Sequence, residues 1–463
     1  MSQIISSISC LSSHSISPTK YLFLGYPYYS TNEARNVFNR IKKIPNLHTQ
    51  GQSFFLYRPD RIDEQLKKLK THLPNVKTFY AIKSGNHPLI LNKMYTSGLG
   101  FDLCSVKQYD QVKNLSPIVE KTIDILDNKK YIDEYSLNSS KWTLERSDNF
   151  KIPCVYTHIH QLSEENDKVQ AICNIDTLSV DSSINYINKY KKYLCRIDVS
   201  GNGINKFGCN NLELSKFLKI ALYNDLNVIG LSFHVGHIST CYEKSLMQAL
   251  NIIKEMIPNF CKYYPLKVLD IGGGFKTNTD LSNVGNQLEI FKHSYMKGYP
   301  DHYPLRKNPL EIWIEPGRFF SEVSFDLVVQ VIAKKQGENS RTYIINDGIY
   351  HSFSNMKYDH WEFPSVINTN SWNSEDGSQN KSRMFTVDSE NCNMVDSELN
   401  NGTTLFNSTI CGPTCDWNDI ITKNAYIPEL NIGDYIVFKG MGAYSYVSNS
   451  GFNDIITGKK FFE

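Results

Sequence analysis

Apolar residues along this chain fall in short runs separated by longer stretches of helical spacing. Phe54-Phe55-Leu56-Tyr57 reads as a strand, and the apolar positions from Asp60 to Leu73 recur at helical spacing. The same alternation then repeats. Strands are predicted at Thr78 to Ile82, Gly98 to Cys104, Pro153 to Thr157, Ala171 to Ile175, Leu194 to Val199, Val228 to His234, Val268 to Ile271 and Ile312 to Glu315. Helices fall between them, for instance Pro88 to Tyr95, Val106 to Leu115 and Tyr242 to Phe260. Strand–helix units repeated over residues 51–320 predict an α/β chain with a (β/α)8 TIM-type barrel, whose site lies at the C-terminal ends of the strands. Lys83, Asp102, Arg196, His234, Gly272 and Glu315 each stand at or just past such an end.

After about residue 320 the pattern changes to β runs, at Ser324 to Ile332, Thr342 to Ile345 and Asp434 to Phe438. A C-terminal all-β domain over 321–463 is therefore predicted. Two polar stretches, Asn128 to Asn149 and Thr369 to Ser408, have little core potential and read as solvated insertions. Residues 1–50 form an N-terminal extension. Its first 19 residues are rich in serine and lack both acidic residues and arginine, so they read as a disordered tail rather than a transit segment.

Composition narrows the classes of function. A chain of 463 residues can bury a large core across more than one domain. Hydrophobic content of 41% without an apolar run of about eighteen residues argues against a membrane partner. The net charge of +2 gives no electrostatic case for nucleic acid. The eleven cysteines form no C-x-x-C pair and read as reduced thiols, which predicts a cytoplasmic chain with no metal site.

The strand-end residues belong to an ordered series of motifs. Phe79-Tyr80-Ala81-Ile82-Lys83 pushes one lysine from an apolar strand into a polar turn, where burial would lower its proton affinity and leave a usable amine. Downstream come Gly100-Phe101-Asp102, Ser232-Phe233-His234-Val235-Gly236, Leu269-Asp270-Ile271-Gly272-Gly273-Gly274-Phe275 and Glu315-Pro316-Gly317-Arg318. Asn346-Asp347-Gly348-Ile349-Tyr350, Tyr358-Asp359-His360, Gly412-Pro413-Thr414-Cys415-Asp416 and Met441-Gly442-Ala443-Tyr444 complete it. In this order and spacing, from about residue 50 to the C-terminus, the chain resembles the eukaryotic ornithine decarboxylases, pyridoxal-phosphate enzymes with an alanine-racemase-like barrel.

That resemblance implies a role for each motif. Lys83 would be the Schiff-base lysine, and Glu315 the carboxylate that keeps the cofactor's ring nitrogen protonated. Arg318, the backbone of Gly272, Gly273 and Gly274, and Tyr444 would hold the phosphate. His234 would stack on the ring, with Asp102 and Arg196 near its edge. Asp359 and Asp416 would receive the distal ammonium of ornithine through charge-assisted hydrogen bonds, with Tyr358 also in the substrate site. Cys415 would return a proton to the α-carbon after CO₂ leaves. The resemblance further implies that residues before the barrel join the β domain, and that the chain forms a head-to-tail homodimer. There Cys415 and Asp416 would serve the neighbour's site, Lys206 and Asp419 would pair across the interface, and Tyr350, Gly442 and Phe452 would line it.

Two positions depart from the family pattern. His237 stands where a serine hydroxyl usually meets the phosphate, and Gln108 where glutamate is common. The activity implied is decarboxylation of L-ornithine to putrescine, the entry to polyamine synthesis, with an antizyme-like inhibitor as a possible partner. The alternatives are a non-catalytic regulator of the antizyme-inhibitor type and a lysine/ornithine decarboxylase of broader specificity.

Overall fold

Eight strands close into a parallel barrel in the computed structural model. Going round it, they are Val268–Asp270, Glu311–Ile314, Val76–Ala81, Gly100–Leu103, Cys154–Tyr156, Ile172–Ile175, Lys192–Arg196 and Asn227–Ser232. The structure describes residues 20–24, 30–44, 51–113, 115, 132–133, 152–157, 171–175, 191–200, 207–236, 241–298, 310–358, 384–388, 394–397, 404–455 and 460–462. Parallel strands are covered on both faces, so near-continuous apolar runs are what such a barrel needs. Phe79, Val155, Leu194, Ile229, Val268 and Trp313, drawn from six of the strands, form a core of their own in the barrel. The outward residues pack under helices such as Pro59–His72, Asn211–Tyr223 and Tyr242–Phe260. Local signals fix where these helices begin: Pro59 occupies the first turn of one, and Asn210 with Glu213 makes a reciprocal capping box on another.

Barrel register sets the site. Arg196 lies opposite Ser232, Ser232 opposite Asp270, and Asp270 opposite Trp313. His234, Gly272 and Glu315, each two residues further on, therefore leave the barrel side by side. Ala81 lies opposite Asp102, which brings the Lys83 turn next to that carboxylate.

The second unit is a mixed, eleven-stranded sheet. Its backbone is Phe325–Gln336, which pairs with Tyr435–Phe438, Phe54–Tyr57 and, beyond an irregularity between Val331 and Ala333, Ser340–Ile345. Leu405–Cys411 and Ile420–Pro428 extend one side, and Lys20–Leu24 extends the other. The segment before the barrel thus joins the β domain. A helix not foreseen in the sequence, Thr31–Lys42, starts at a capping box of Ser30 and Glu33.

Two details differ from the sequence reading. Phe54–Tyr57 is a strand, but it belongs to the large sheet and not to the barrel, because Phe54 to Tyr57 pair with Val328 to Phe325. The polar stretch 369–408 contains the strands Met384–Asp388, which pairs onto Lys20–Leu24, and Met394–Ser397, which pairs onto Met384–Asp388, as well as the start of Leu405–Cys411. Of 128–149 only Ile132–Asp133 is described, and it pairs with Lys460–Phe462; the rest lies outside the described residues.

A buried charge cluster ties the units together. Asp326, fully buried, accepts from Arg61 at 2.6 Å and Arg58 at 2.8 Å, while Glu33 meets Arg61 at 2.6 Å and Lys439 at 2.8 Å. The helix Thr31–Lys42, the helix Pro59–His72 and the sheet all contribute to it.

Candidate active site

Lys83 sits in the one-turn helix Ile82–Ser84 at the end of its strand. The turn is held by Ser84 Oγ donating to the Ala81 carbonyl at 2.9 Å, and by the Tyr444 N–H donating to the Ser84 carbonyl at 2.8 Å. Nζ of Lys83 is 3.6 Å from Oδ2 of buried Asp102, whose Oδ1 accepts from Thr157 Oγ1 at 3.1 Å. The Asp102 carboxylate raises the proton affinity of the lysine, whose side chain is half exposed. This reverses the expectation of a lowered pKa: in the chain as it stands the amine is a cation paired to Asp102.

The glycine run follows Asp270, whose Oδ1 accepts the Gly272 N–H at 2.8 Å. Gly272 has φ +68°, and a Cβ there would lie 2.4 Å from the Phe233 carbonyl oxygen; at Gly273 it would lie 2.6 Å from that of Glu315. Only glycine allows this approach. The Gly273 N–H donates to Nδ1 of His234 at 3.0 Å, so in this arrangement the neutral ring carries its proton on Nε2. The Glu315 N–H closes the loop onto the Gly272 carbonyl at 2.8 Å.

Glu315 is buried and its carboxyl shares a hydrogen bond with that of Asp270; beyond that pair, Oε1 of Glu315 and Oδ2 of Asp270 have no partner. Burial, reinforced by the charges of Asp102 and Asp270, pushes Glu315 well above the usual carboxyl range, and burial raises Asp270 as well. Two buried carboxyls satisfied only by each other are costly to ionise, and a cationic N–H would offset that cost.

Lys83, His234, Gly273, Glu315, Arg318 and Tyr444 line one cavity of about 450 Å³, counted to its open mouth. Arg318 lies at the start of the helix Arg318–Ser324, with its guanidinium 5.8 Å from the Tyr444 ring centroid. Tyr444 has φ +53°, a conformation that costs a non-glycine residue energy and occurs where the surroundings enforce it. Arg196 is not among the lining residues, and its guanidinium lies 5.1 Å over the Phe207 ring. Gln108 accepts the Cys104 N–H at 2.8 Å, capping the helix behind Asp102.

The remaining sequence candidates gather elsewhere, on the sheet unit. Asp416 accepts from the Tyr350 hydroxyl and from the Asn418 N–H at 2.9 Å, and these bonds, the Asn418 amide first, hold its carboxyl below the ordinary range. The Tyr350 ring lies 4.5 Å from that of Phe452. Cys415 is exposed, with Sγ 3.7 Å from Oδ1 of Asn453. Asp419 is buried; it accepts from Ile349 N–H at 3.0 Å, Thr414 N–H at 3.1 Å and Thr414 Oγ1 at 2.7 Å, so a lysine from another chain would be an additional partner. Tyr358 is exposed, and Gly442 packs beneath the Ser321 carbonyl. None of these lines the cavity. Lys206, His237 and Asp359 lie outside the described residues.

Sequence reasoning did not single out Thr157 or Thr277, nor Glu322. Thr157 closes a predicted strand and so carried the same strand-end signal as Asp102. Glu322 is four residues after Arg318, the spacing at which helical side chains meet.

A barrel with its cavity at the strand ends, a lysine in the mouth, a glycine cradle beside an arginine and a buried carboxyl paired only with another acid fits pyridoxal phosphate, and defines the class of barrel enzymes built around that cofactor. The comparisons agree. Residues 59–322 match the pyridoxal binding domain of the pyridoxal-dependent decarboxylases, and the chain belongs to that family. It is 27% identical to ornithine decarboxylase of Schizosaccharomyces pombe, over 91% of this chain and 87% of that protein. It is 26% identical to antizyme inhibitor 2 of Xenopus laevis, over 89% of this chain and 81% of that one. Among solved structures, the arginine decarboxylase of Paramecium bursaria Chlorella virus superposes with a TM-score of 0.66 at 23% identity, covering 92% of this chain and 98% of the viral one. The lysine/ornithine decarboxylase of Vibrio vulnificus gives 0.65 at 21%, covering 93% and 98%. Among the described residues no helix is long and apolar enough to cross a membrane.

Proposed function

We propose that this chain decarboxylates L-ornithine to putrescine and CO₂ in the cytoplasm, as a homodimer with shared sites. The observation that carries the reading is one cavity lined by Lys83, Glu315, His234 and Arg318 together. Bound pyridoxal phosphate supplies an aldehyde for amines and a ring that takes up electron density as CO₂ leaves. Lys83 is the amine that holds it. Asp102, 3.6 Å away, takes the charge of that amine when it is free and orients it. Glu315 would keep a proton at the ring nitrogen; of the two buried acids it is Glu315 that lines the cavity, while Asp270 fixes the glycine loop. Gly272 to Gly274, Arg318, Tyr444 and His237 would take the phosphate and His234 would stack on the ring, while Arg196, which does not line the cavity in the chain as it stands, would lie near its edge.

The substrate's far ammonium is received by Asp359 and Asp416, with Tyr358 beside them in the substrate site, and Cys415 delivers a proton to the α-carbon. That Cys415 and Asp416 lie apart from the cavity of their own chain supports their serving a twin protomer across contacts made by Lys206, Asp419, Tyr350, Gly442 and Phe452. The similarity to an antizyme inhibitor keeps a second reading in view, a partner-binding protein without turnover. CO₂ release from ornithine, lysine and arginine, measured side by side with and without pyridoxal phosphate, separates these. Ornithine should lead, with lysine behind by about 1–3 kcal/mol of discrimination for one methylene. Lys83→Ala should abolish release. No release from any of the three by the cofactor-loaded chain refutes the proposal and leaves the partner-binding reading, with an antizyme-like protein as the ligand to try.

A further inference from the structure

The carboxyl group of Glu322 stands behind Arg318, and nothing in the reaction above uses it. Its Oε2 is 3.5 Å from Nη1 of Arg318, one turn back on the same helix. Its Oε1 accepts from Thr277 Oγ1 at 3.1 Å, three residues past the glycine cradle. Its main-chain carbonyl accepts the Gly442 N–H at 3.3 Å, in the loop that leads to Tyr444. One residue therefore links the three segments around the phosphate end of the cavity: the glycine loop, the arginine helix and the tyrosine loop. The guanidinium itself is held between this carboxyl and the Tyr444 ring.

We infer that Glu322, braced by Thr277, is the positioning residue that presents the Arg318 guanidinium to the phosphate of the cofactor. The inference rests on the cofactor reading proposed above. A guanidinium has donors on more than one edge, so it can face a carboxyl behind and an anion in front. An arginine already held loses less rotamer freedom when it grips a phosphate. The opposing effect is repulsion between carboxylate and phosphate. Burial raises the pKa of Glu322 against the pull of Arg318 and Lys276, the two cations that face it, and so favours the neutral form when a second anion arrives. Positioning by the oxygen atoms, not by the negative charge, is what remains.

The test compares two ligands that differ at one end. Equilibrium binding of pyridoxal phosphate and of pyridoxal, which lacks the phosphate, is measured on the full chain freed of cofactor. Glu322→Ala should weaken pyridoxal phosphate about tenfold, the scale of one charge-assisted hydrogen bond, and leave pyridoxal within about twofold. Glu322→Gln, which keeps an acceptor oxygen, should recover most of the loss. Equal losses for both ligands would mark a merely structural residue, and unchanged or tighter phosphate binding in Glu322→Ala would mark a competitor; either overturns the inference. Wild-type chain that prefers neither ligand would instead remove the cofactor reading itself. If Glu322→Ala does not fold, Thr277→Val carries the same comparison, with a smaller loss confined to pyridoxal phosphate.

Discussion

His87 gives the best-defined pH prediction. Its ring is buried against Phe461, 4.0 Å between centroids, and Nδ1 caps the helix Pro88–Thr96 by accepting the Leu89 N–H at 3.3 Å. Nε2 has no partner. Burial alone drives its pKa from the usual 6.5 to about 3. The fold thus binds the neutral ring, whereas the unfolded chain takes up a proton near pH 6.5. The stability this group contributes is complete above that value and disappears as the pH falls toward 3. Each pH unit in the window costs about 1.4 kcal/mol, so the whole shift corresponds to roughly 5 kcal/mol. His87→Asn keeps an oxygen that can cap the helix but removes the titration. It should be less stable than wild type at about pH 7.5, by a packing loss that does not depend on pH. By about pH 5 the wild type should have lost roughly 2 kcal/mol relative to the variant. Urea unfolding at each pH, followed by fluorescence and checked for reversibility, reads this difference. Parallel loss in both proteins, within about 0.5 kcal/mol, would refute the reasoning.

Three further outcomes are expected. Asp326→Ala leaves Arg58 and Arg61 buried without their shared carboxylate and should cost about 3–5 kcal/mol in urea unfolding. Gly272→Ala drives a Cβ to within 2.4 Å of the Phe233 carbonyl at a positive φ, and should reduce cofactor affinity at least tenfold by equilibrium dialysis, roughly 1.4 kcal/mol, while the far-ultraviolet dichroism stays unchanged. Cys415→Ala should slow ornithine turnover and divert part of the product to an aldehyde, seen by product chromatography; a mixture identical to wild type would remove the thiol from the proton path.

Much of the barrel was legible because a parallel strand buried on both faces needs an unbroken apolar run, and all eight runs stand out from the polar connections. What such a run does not encode is its neighbours. Phe54–Tyr57 is as apolar as any barrel strand, yet the sheet partner Phe325–Gln336, some 270 residues away, decides where it goes. Met394–Ser397 carries two polar residues in four and shows no strand signal of its own; its pairing with Met384–Asp388 supplies the order. The site divides in the same way. The residues on strand ends were legible because position along a strand fixes position in a barrel. The proton affinity of Lys83 was not, since it depends on a carboxylate 19 residues on that comes alongside only through the Ala81–Asp102 register.

The order of strands in the sheet bears on how the chain matures as it is synthesised. Lys20–Leu24 and Phe54–Tyr57 are made before any barrel strand, Phe325–Gln336 after the last, and Lys460–Phe462 later still, where it pairs back onto Phe54–Tyr57. On the ribosome the barrel can close while the early strands wait unpaired, edges open, for partners not yet translated. Phe461, which stacks on Phe55 and packs against His87, arrives after every strand of the barrel. Until that strand is made, Phe55 and His87 lack the ring that packs on them, so the sheet next to the barrel is completed later than the barrel itself.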